Sequence, residues 1–142
     1  MIASGGENMF SLEWFYQLHF YIIFIGVLSI LSGVYIVKFK KDKSWRIKRH
    51  RLLTALGSTF ILAGVVLMYL GKSSADLGHF SVPHAFGGLF AISMIILTAI
   101  VANIGMKGHK KMMNVHRWLG RITSVLIILV SIVGFTVLMS YI

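Results

Sequence analysis

Four of the six histidines fall one to each of the four apolar stretches of the sequence. His19 lies inside the first stretch, and His50, His84 and His116 stand at the beginning of the second, third and fourth. An ionisable side chain inside a membrane is costly and is by default a candidate for a functional site. Taken singly, each histidine is explained better by an interfacial or interhelical hydrogen bond than by a functional site. Only the spacing of the four can indicate more.

The spacing repeats between the two halves of the chain. His84 follows His19 by 65 residues, and His116 follows His50 by 66. The dipeptide His50-Arg51 matches His116-Arg117 in the same register. The sequence therefore reads as a weak internal duplication, in which each half supplies two histidines.

The elements that must position these histidines are membrane helices. The chain is 57% hydrophobic and 13% charged, with a mean hydropathy of +0.83, and about 20 apolar residues suffice to cross a bilayer as a helix. Stretches of this kind occupy residues 12–37, 52–70, 82–104 and 118–141. Short connections make successive helices antiparallel neighbours. We therefore predict an all-α integral membrane protein, an up-down four-helix bundle that forms a single transmembrane domain over residues 1–142.

The charges predict the orientation in the membrane. Thirteen of the 14 Lys and Arg residues fall in or beside the first and third connections, and only Lys72 lies elsewhere. By the positive-inside rule both basic connections are cytoplasmic and both termini lie outside, in a multi-pass protein of the cell membrane. Because topology explains the formal charge of +10, this charge does not indicate nucleic-acid binding. Residues 1–10 contain Glu7 but no Lys or Arg, so the first stretch is expected to be a retained helix and not a cleavable signal peptide.

Counting residues to the far membrane surface places the histidines at two levels. His19 and His84 are expected near the outer face, and His50 and His116 near the inner face, at the heads of helices two and four. Two imidazoles at one level on diagonally opposed helices can ligate a flat metal cofactor between them, which fits haem. Zinc fits less well, since it usually takes four ligands. The chain has no cysteine, which excludes iron–sulfur clusters and covalently attached c-type haem.

Small residues follow each histidine at helical spacing. Seven residues beyond the histidines lie Gly26, Gly57, Ala91 and Thr123, and fourteen beyond lie Gly33, Gly64, Thr98 and Val130. Such a stripe offers room for a cofactor, and it equally allows close helix packing. The two histidine levels are expected to be roughly 20 Å apart at 1.5 Å per residue.

These residues carry a resemblance to a known family. The segments HAFGGL at residues 84–89 and HRWLGR at residues 116–121, the basic stretch at residues 45–53 that ends in HRLL, and the position of His19 resemble the four-helix core of the cytochrome b561 family. The resemblance covers roughly Leu18 to Met139, which is nearly the whole sequence. The flanking helices of the animal and plant members have no counterpart here, and no ascorbate site can be mapped.

The resemblance implies two non-covalent haem b groups with bis-histidine ligation. His19 and His84 would hold the outer group, and His50 and His116 the cytoplasmic one. Family members pass single electrons across a membrane, which implies a quinol or a redox protein as partner. Independently of the resemblance, Arg51, Arg117 and Arg121 are candidate partners for haem propionates at the inner face, through charge-assisted hydrogen bonds.

Other interpretations stay open at this stage. A smaller similarity links the chain to four-helix proteins that handle haem during respiratory oxidase assembly. A scaffold without cofactor would use its histidines only for interhelical hydrogen bonds. The electron carrier could be a subunit of a transmembrane oxidoreductase or ferric reductase, and Gly26 with Gly33 would suit a homodimer contact.

Overall fold

Four long helices account for almost all of the described chain. The computed structural model describes residues 12–74 and 83–139, and within them it contains α1 (Leu12–Phe39), α2 (Arg46–Ser74), α3 (Pro83–Met106) and α4 (Lys110–Met139). The chain turns between α3 and α4 at Gly108, whose φ of +105° is a conformation that favours glycine. The predicted all-α four-helix architecture is confirmed.

Two helices begin earlier than the apolar stretches predict. α2 starts at Arg46 instead of Leu52, and α4 starts at Lys110 instead of Trp118. Apolarity marks only the part of a helix that fits the hydrocarbon core, whereas Lys, Arg and Met are good helix formers at any depth. Neither extension contains Gly or Pro, so the helices continue through the basic segments. His50 and His116 consequently lie in the second turn of their helices and not before the first.

The helices form a ring. α1 packs along α2 and α3 along α4, α1 also packs against α4, and α2 touches α3 over a short length. The diagonal pairs, α1 with α3 and α2 with α4, do not approach each other closely over the described residues. Side-chain contacts run antiparallel, because His19 of α1 meets Gly64 of α2 while Gly33 meets His50. This is the up-down arrangement that the short connections predict.

Two glycines bring α1 and α2 into close contact. A Cβ atom on Gly57 would lie 2.5 Å from the carbonyl oxygen of Gly26, and one on Gly26 would lie 2.9 Å from the carbonyl oxygen of Gly57. Helices that lack side chains at the contact can bring their backbones together. The expectation that these two residues leave room for a cofactor is therefore wrong for the α1–α2 pair. Gly26 and Gly33 are buried against α2, so they are not available for a homodimer contact.

The outer surface of the bundle is apolar. All four helices are long and apolar enough to cross a membrane, and large side chains such as Tyr21, Phe90, Trp118 and Val125 are about 60% exposed. Hydroxyl groups along the helices donate back to carbonyls of their own helix, as Ser58 does to Thr54 and Ser131 does to Ile127. That arrangement satisfies polar groups where lipid replaces water. The chain is a multi-pass membrane protein.

Candidate metal centre

His50 and His116 lie close together inside the four-helix bundle, at one of its ends. They come from the diagonal helices α2 and α4, and their ring centroids lie 6.4 Å apart with the ring planes at 68°. An imidazole nitrogen lies about 1.2 Å from its ring centroid and bonds a metal at about 2.0 Å. Two imidazoles on opposite sides of one metal ion therefore have centroids about 6.4 Å apart. The observed separation has this value.

Hydrogen bonds fix which nitrogen of each ring is protonated. Nδ1 of His50 lies 3.0 Å from the carbonyl oxygen of Gly33, and Nδ1 of His116 lies 3.2 Å from that of Thr98. A carbonyl oxygen can only accept, so Nδ1 carries the hydrogen in both rings. The other nitrogen, Nε2, then has its lone pair in the ring plane, and this is the tautomer that a metal-ligating histidine requires. Such an Nδ1–H bond also fixes the ring orientation.

The hydroxyls of Thr98 and Thr123 form a short network beside His116. Thr98 Oγ1 donates to the carbonyl of Met94 at 2.7 Å. A hydroxyl has one hydrogen, so the 3.1 Å contact between Thr98 Oγ1 and Thr123 Oγ1 must be donated by Thr123. Thr123 is the one buried polar residue among those described. The network links α4 to the residue whose carbonyl holds His116.

His19 repeats the same arrangement at the opposite end of the bundle. Its Nδ1 donates to the carbonyl oxygen of Gly64 at 2.8 Å, so its Nε2 also has the free lone pair. A Cβ atom on Gly64 would lie 2.9 Å from Cδ1 of Ile23. The absence of a side chain at Gly64 thus lets α1 come close enough for the histidine to reach the carbonyl.

His84, near the start of α3, lies against α4 at the same end of the bundle, where a glycine makes room for its ring. A Cβ atom on Gly134 would be 2.6 Å from Cε1 and 3.0 Å from Nε2 of His84. The next residue of α4, Phe135, contacts Phe20 of α1 with ring centroids 5.7 Å apart, and Phe20 follows His19. This chain of contacts shows that His19 and His84 lie at one level.

The separation of the two levels can be read along the helices. Fourteen residues separate His19 from Gly33 in α1, and fourteen separate His50 from Gly64 in α2. Because Gly33 lies beside His50 and Gly64 beside His19, each interval spans one level to the other. At 1.5 Å per residue the levels are about 21 Å apart.

The acceptor carbonyls are functional candidates that sequence reasoning missed. Gly33, Gly64 and Thr98 stand out in the sequence only as small residues, fourteen positions beyond a histidine. In the structure each accepts the ring N–H of a histidine on the adjoining helix. The same spacing would assign Val130 to His84, but Gly134, one turn further along α4, lies against that ring. The repeated interval of fourteen residues was the available signal, and it identifies the residue that lies beside three of the four histidines.

The three predicted propionate partners lie at the end of the bundle that holds His50 and His116, and all three are exposed. Arg117 donates from Nη1 to Asn114 Oδ1 at 3.4 Å, and the guanidinium of Arg121 lies 5.2 Å from the ring centroid of Trp118. Arg51 follows His50 directly. The propionate role of these arginines stays a prediction.

The donor set suits haem better than a bare metal ion. Within residues 12–74 and 83–139 no group of three or more His, Cys, Asp or Glu side chains comes together. A zinc site would need such a group, whereas haem supplies four ligands itself and needs only two axial ones from the protein. Two imidazoles with fixed tautomers, on opposite sides of the bundle interior, fit that requirement.

Comparison of the chain with protein families, with curated proteins and with solved structures gives no match.

Proposed function

We propose that this protein is a membrane cytochrome with two non-covalent haem b groups, which passes single electrons across the bilayer. His50 and His116 would ligate the inner haem, and His19 and His84 the outer one. The observation that carries the proposal is the His50–His116 pair. Its rings are 6.4 Å apart on diagonal helices, and each has its Nδ1–H donated to a backbone carbonyl. The resemblance to the cytochrome b561 family supports the same assignment.

The chain's own residues hold and tune the two sites. The carbonyls of Gly33, Gly64 and Thr98 orient three of the rings and increase their basicity as ligands. Gly134 gives the fourth ring its space. When bound, haem would supply one-electron redox chemistry, with each group held by its pair of histidines.

Two levels about 21 Å apart favour electron transfer through the bundle without a pore or a moving part. Haem held by the histidines of both levels would supply one-electron redox chemistry at each end of the bundle. We infer that the end with the basic connections is cytoplasmic and that both termini lie outside, in accord with the positive-inside rule. A quinol or a redox protein at one face would exchange electrons with an acceptor at the other.

A haem-handling assembly factor is the second candidate. The observation that favours it is the short contact between α2 and α3, which leaves one side of the ring less closed than the others and would suit release of a bound haem. In this function the haem is cargo, so it would be bound substoichiometrically and lost readily.

The first experiment is a dithionite-reduced minus oxidised spectrum of the purified protein, with a pyridine haemochrome count of haem per chain. We expect two b-type haems with a low-spin spectrum that carbon monoxide does not change. A well-folded preparation without haem would refute the proposal and leave a scaffold. One labile haem would favour the assembly factor.

Variants of the ligands test the pairing. We expect His116→Ala to remove only the inner haem and His84→Ala only the outer haem. His109→Ala is the matched control, because His109 is exposed in the turn between α3 and α4. Loss of both haems from either ligand variant would contradict the pairing.

A further inference from the structure

Two surface cavities lie along α4, starting at the end that is proposed to be cytoplasmic. The first has a volume of about 490 Å³ and lies at the turn between α3 and α4, where its wall is formed by Gly105, Gly108, Lys110, Met113, Asn114 and Arg117. The second, of about 400 Å³, continues along α4 and is lined by Trp118, Arg121, Ile122, Val125, Leu126 and Leu129. The two cavities share no lining residue, but Arg117 of the first and Arg121 of the second lie four residues, about one turn, apart on α4. One elongated ligand could therefore reach both.

The first cavity suits an anion. Lys110 and Arg117 supply two cations and Asn114 an amide, and Lys110 is the first residue of α4, where the positive end of the helix dipole lies. The guanidinium of Arg117 uses one donor on Asn114 out of the five that it has. The sequence contains no Asp or Glu after Asp76, so no carboxylate of α3 or α4 competes for these groups.

The second cavity suits a hydrocarbon chain. Apart from Arg121 its lining residues are apolar, and Trp118, Val125 and Leu129 are each more than half exposed. The guanidinium of Arg121 lies over the Trp118 ring, which keeps the charge at the basic end of the groove. A cationic cavity near the basic turn is thus followed, further along α4, by an apolar cavity.

We propose that the two cavities together form a binding site for one anionic phospholipid. Lys110, Arg117 and Arg121 contact its phosphate, by charge-assisted hydrogen bonds, and the groove from Trp118 to Leu129 takes an acyl chain. Basic pockets at the cytoplasmic ends of membrane helices are suited to anionic head groups. The site does not depend on haem.

The positions of the two arginines on α4 support this assignment. At 100° per residue, Arg117 and Arg121 lie roughly 100° and 140° around the helix from His116. They therefore leave α4 on a different side from the ring that faces His50. This geometry favours a ligand on the lipid-facing surface over a haem propionate for both residues.

The test is native mass spectrometry of the full chain released from nanodiscs that contain equal amounts of phosphatidylglycerol and phosphatidylcholine. We expect one phosphatidylglycerol retained per chain. Arg117→Gln with Arg121→Gln should weaken retention by about thirtyfold, because each basic residue near an anionic surface contributes about a factor of five. The matched control is Arg46→Gln with Arg49→Gln, which removes two charges from the same end of the bundle. Arg49 also stacks on a tryptophan, Trp45, but lines neither cavity.

A second pair of variants tests the groove without changing charge. Val125→Trp should fill the groove and reduce retention, whereas Val133→Trp, at an exposed position further along α4, should not. Equal retention of the two lipids, or equal loss in both arginine double variants, would overturn the proposal, because a general basic surface predicts those results. Retention of phosphatidylglycerol that depends only on the arginines of α4 would support it. Haem content is not part of either comparison, so this result is independent of the proposed function.

Discussion

Single hydrogen bonds decide what the histidines can do. In three of them the ring Nδ1–H is donated to a backbone carbonyl on the adjoining helix, and this leaves Nε2 as the group with a free lone pair. A neutral histidine without such a bond exchanges between two tautomers, and only one of them has the free lone pair on Nε2. In the proposed function, the carbonyls would orient the rings for ligation before any metal is bound.

Gly134 is the residue that gives His84 its position. A methyl group there would lie 2.6 Å from the ring, so Gly134→Ala should displace the ring and weaken binding of the outer haem by about tenfold or more, the range typical of residues that support a ligand. The haem content and the spectrum of each centre measure this. Gly120→Ala on the same helix is the control, because a Cβ atom there meets nothing within 4 Å. Unchanged outer haem in Gly134→Ala would refute this role of Gly134.

Thr123 is expected to act as a positioning residue for His116. Thr123→Val keeps the shape but removes the hydrogen donated to Thr98, so α4 is no longer tied to the residue whose carbonyl holds His116. A weaker Nδ1–H bond makes the imidazole a poorer donor to ferric iron, and we expect the midpoint potential of the inner haem alone to rise.

Nitrogen-15 spectra of the histidines give a second measurement for Thr123→Val, which needs no haem. His116 should show one Nδ1–H tautomer in the natural protein and a mixture in the variant. The control is Thr136→Val, since Thr136 is exposed and donates only to Val133 of its own helix. If the tautomer and the potential both stayed unchanged, Thr123 would have no positioning role.

At the scale of the helices, the α1–α2 and α3–α4 hairpins have similar arrangements of histidines but different contacts between their helices. Gly26 and Gly57 bring α1 and α2 into backbone contact, whereas Thr123, at the position of α4 equivalent to Gly57 in the repeat, joins α3 through a hydroxyl contact. A glycine contact tolerates no side chain. The two hairpins should therefore respond differently to added volume.

Gly57→Ala tests the glycine contact. The new methyl group would lie 2.5 Å from a backbone oxygen, which cannot move without shifting α1, so we expect a loss of about 1–3 kcal/mol in stability, as for other overpacked sites. Unfolding in detergent measures the change. Gly88→Ala meets nothing within 4 Å and should be neutral or slightly stabilising, because alanine is the better helix former. Equal stability of the two variants would contradict the close contact.

The sequence predicts the helices more reliably than their contacts. The length of the apolar stretches was enough to locate four helices, and the absence of charge within them located the central part of each helix. It could not predict that α2 and α4 begin at Arg46 and Lys110, because a basic segment is compatible with either a loop or a helix in water. The histidine register predicted that His50 and His116 lie at one level, and their ring centroids are 6.4 Å apart. Their carbonyl partners depend on the distance between helices, which glycine spacing alone does not determine.

At the scale of the whole molecule, the distribution of charge predicts the topology. The chain contains no cysteine, so a single introduced cysteine reports its own side of the membrane. In intact cells a membrane-impermeant maleimide should label Ser4→Cys but not Lys41→Cys or Gly108→Cys, which lie in the basic connections. Labelling of Lys41→Cys in unbroken cells would reverse the proposed orientation. Labelling of all three after lysis is the control.

The origin of His50 and His116 on diagonal helices affects how the protein is made. His50 belongs to the first hairpin and His116 to the second, and helices enter the membrane in the order of their synthesis. The two rings can therefore meet only after the ribosome has released the fourth helix and the hairpins have docked. A nascent chain of two or three helices has half of this pair, so cofactor capture at that end would report completed assembly.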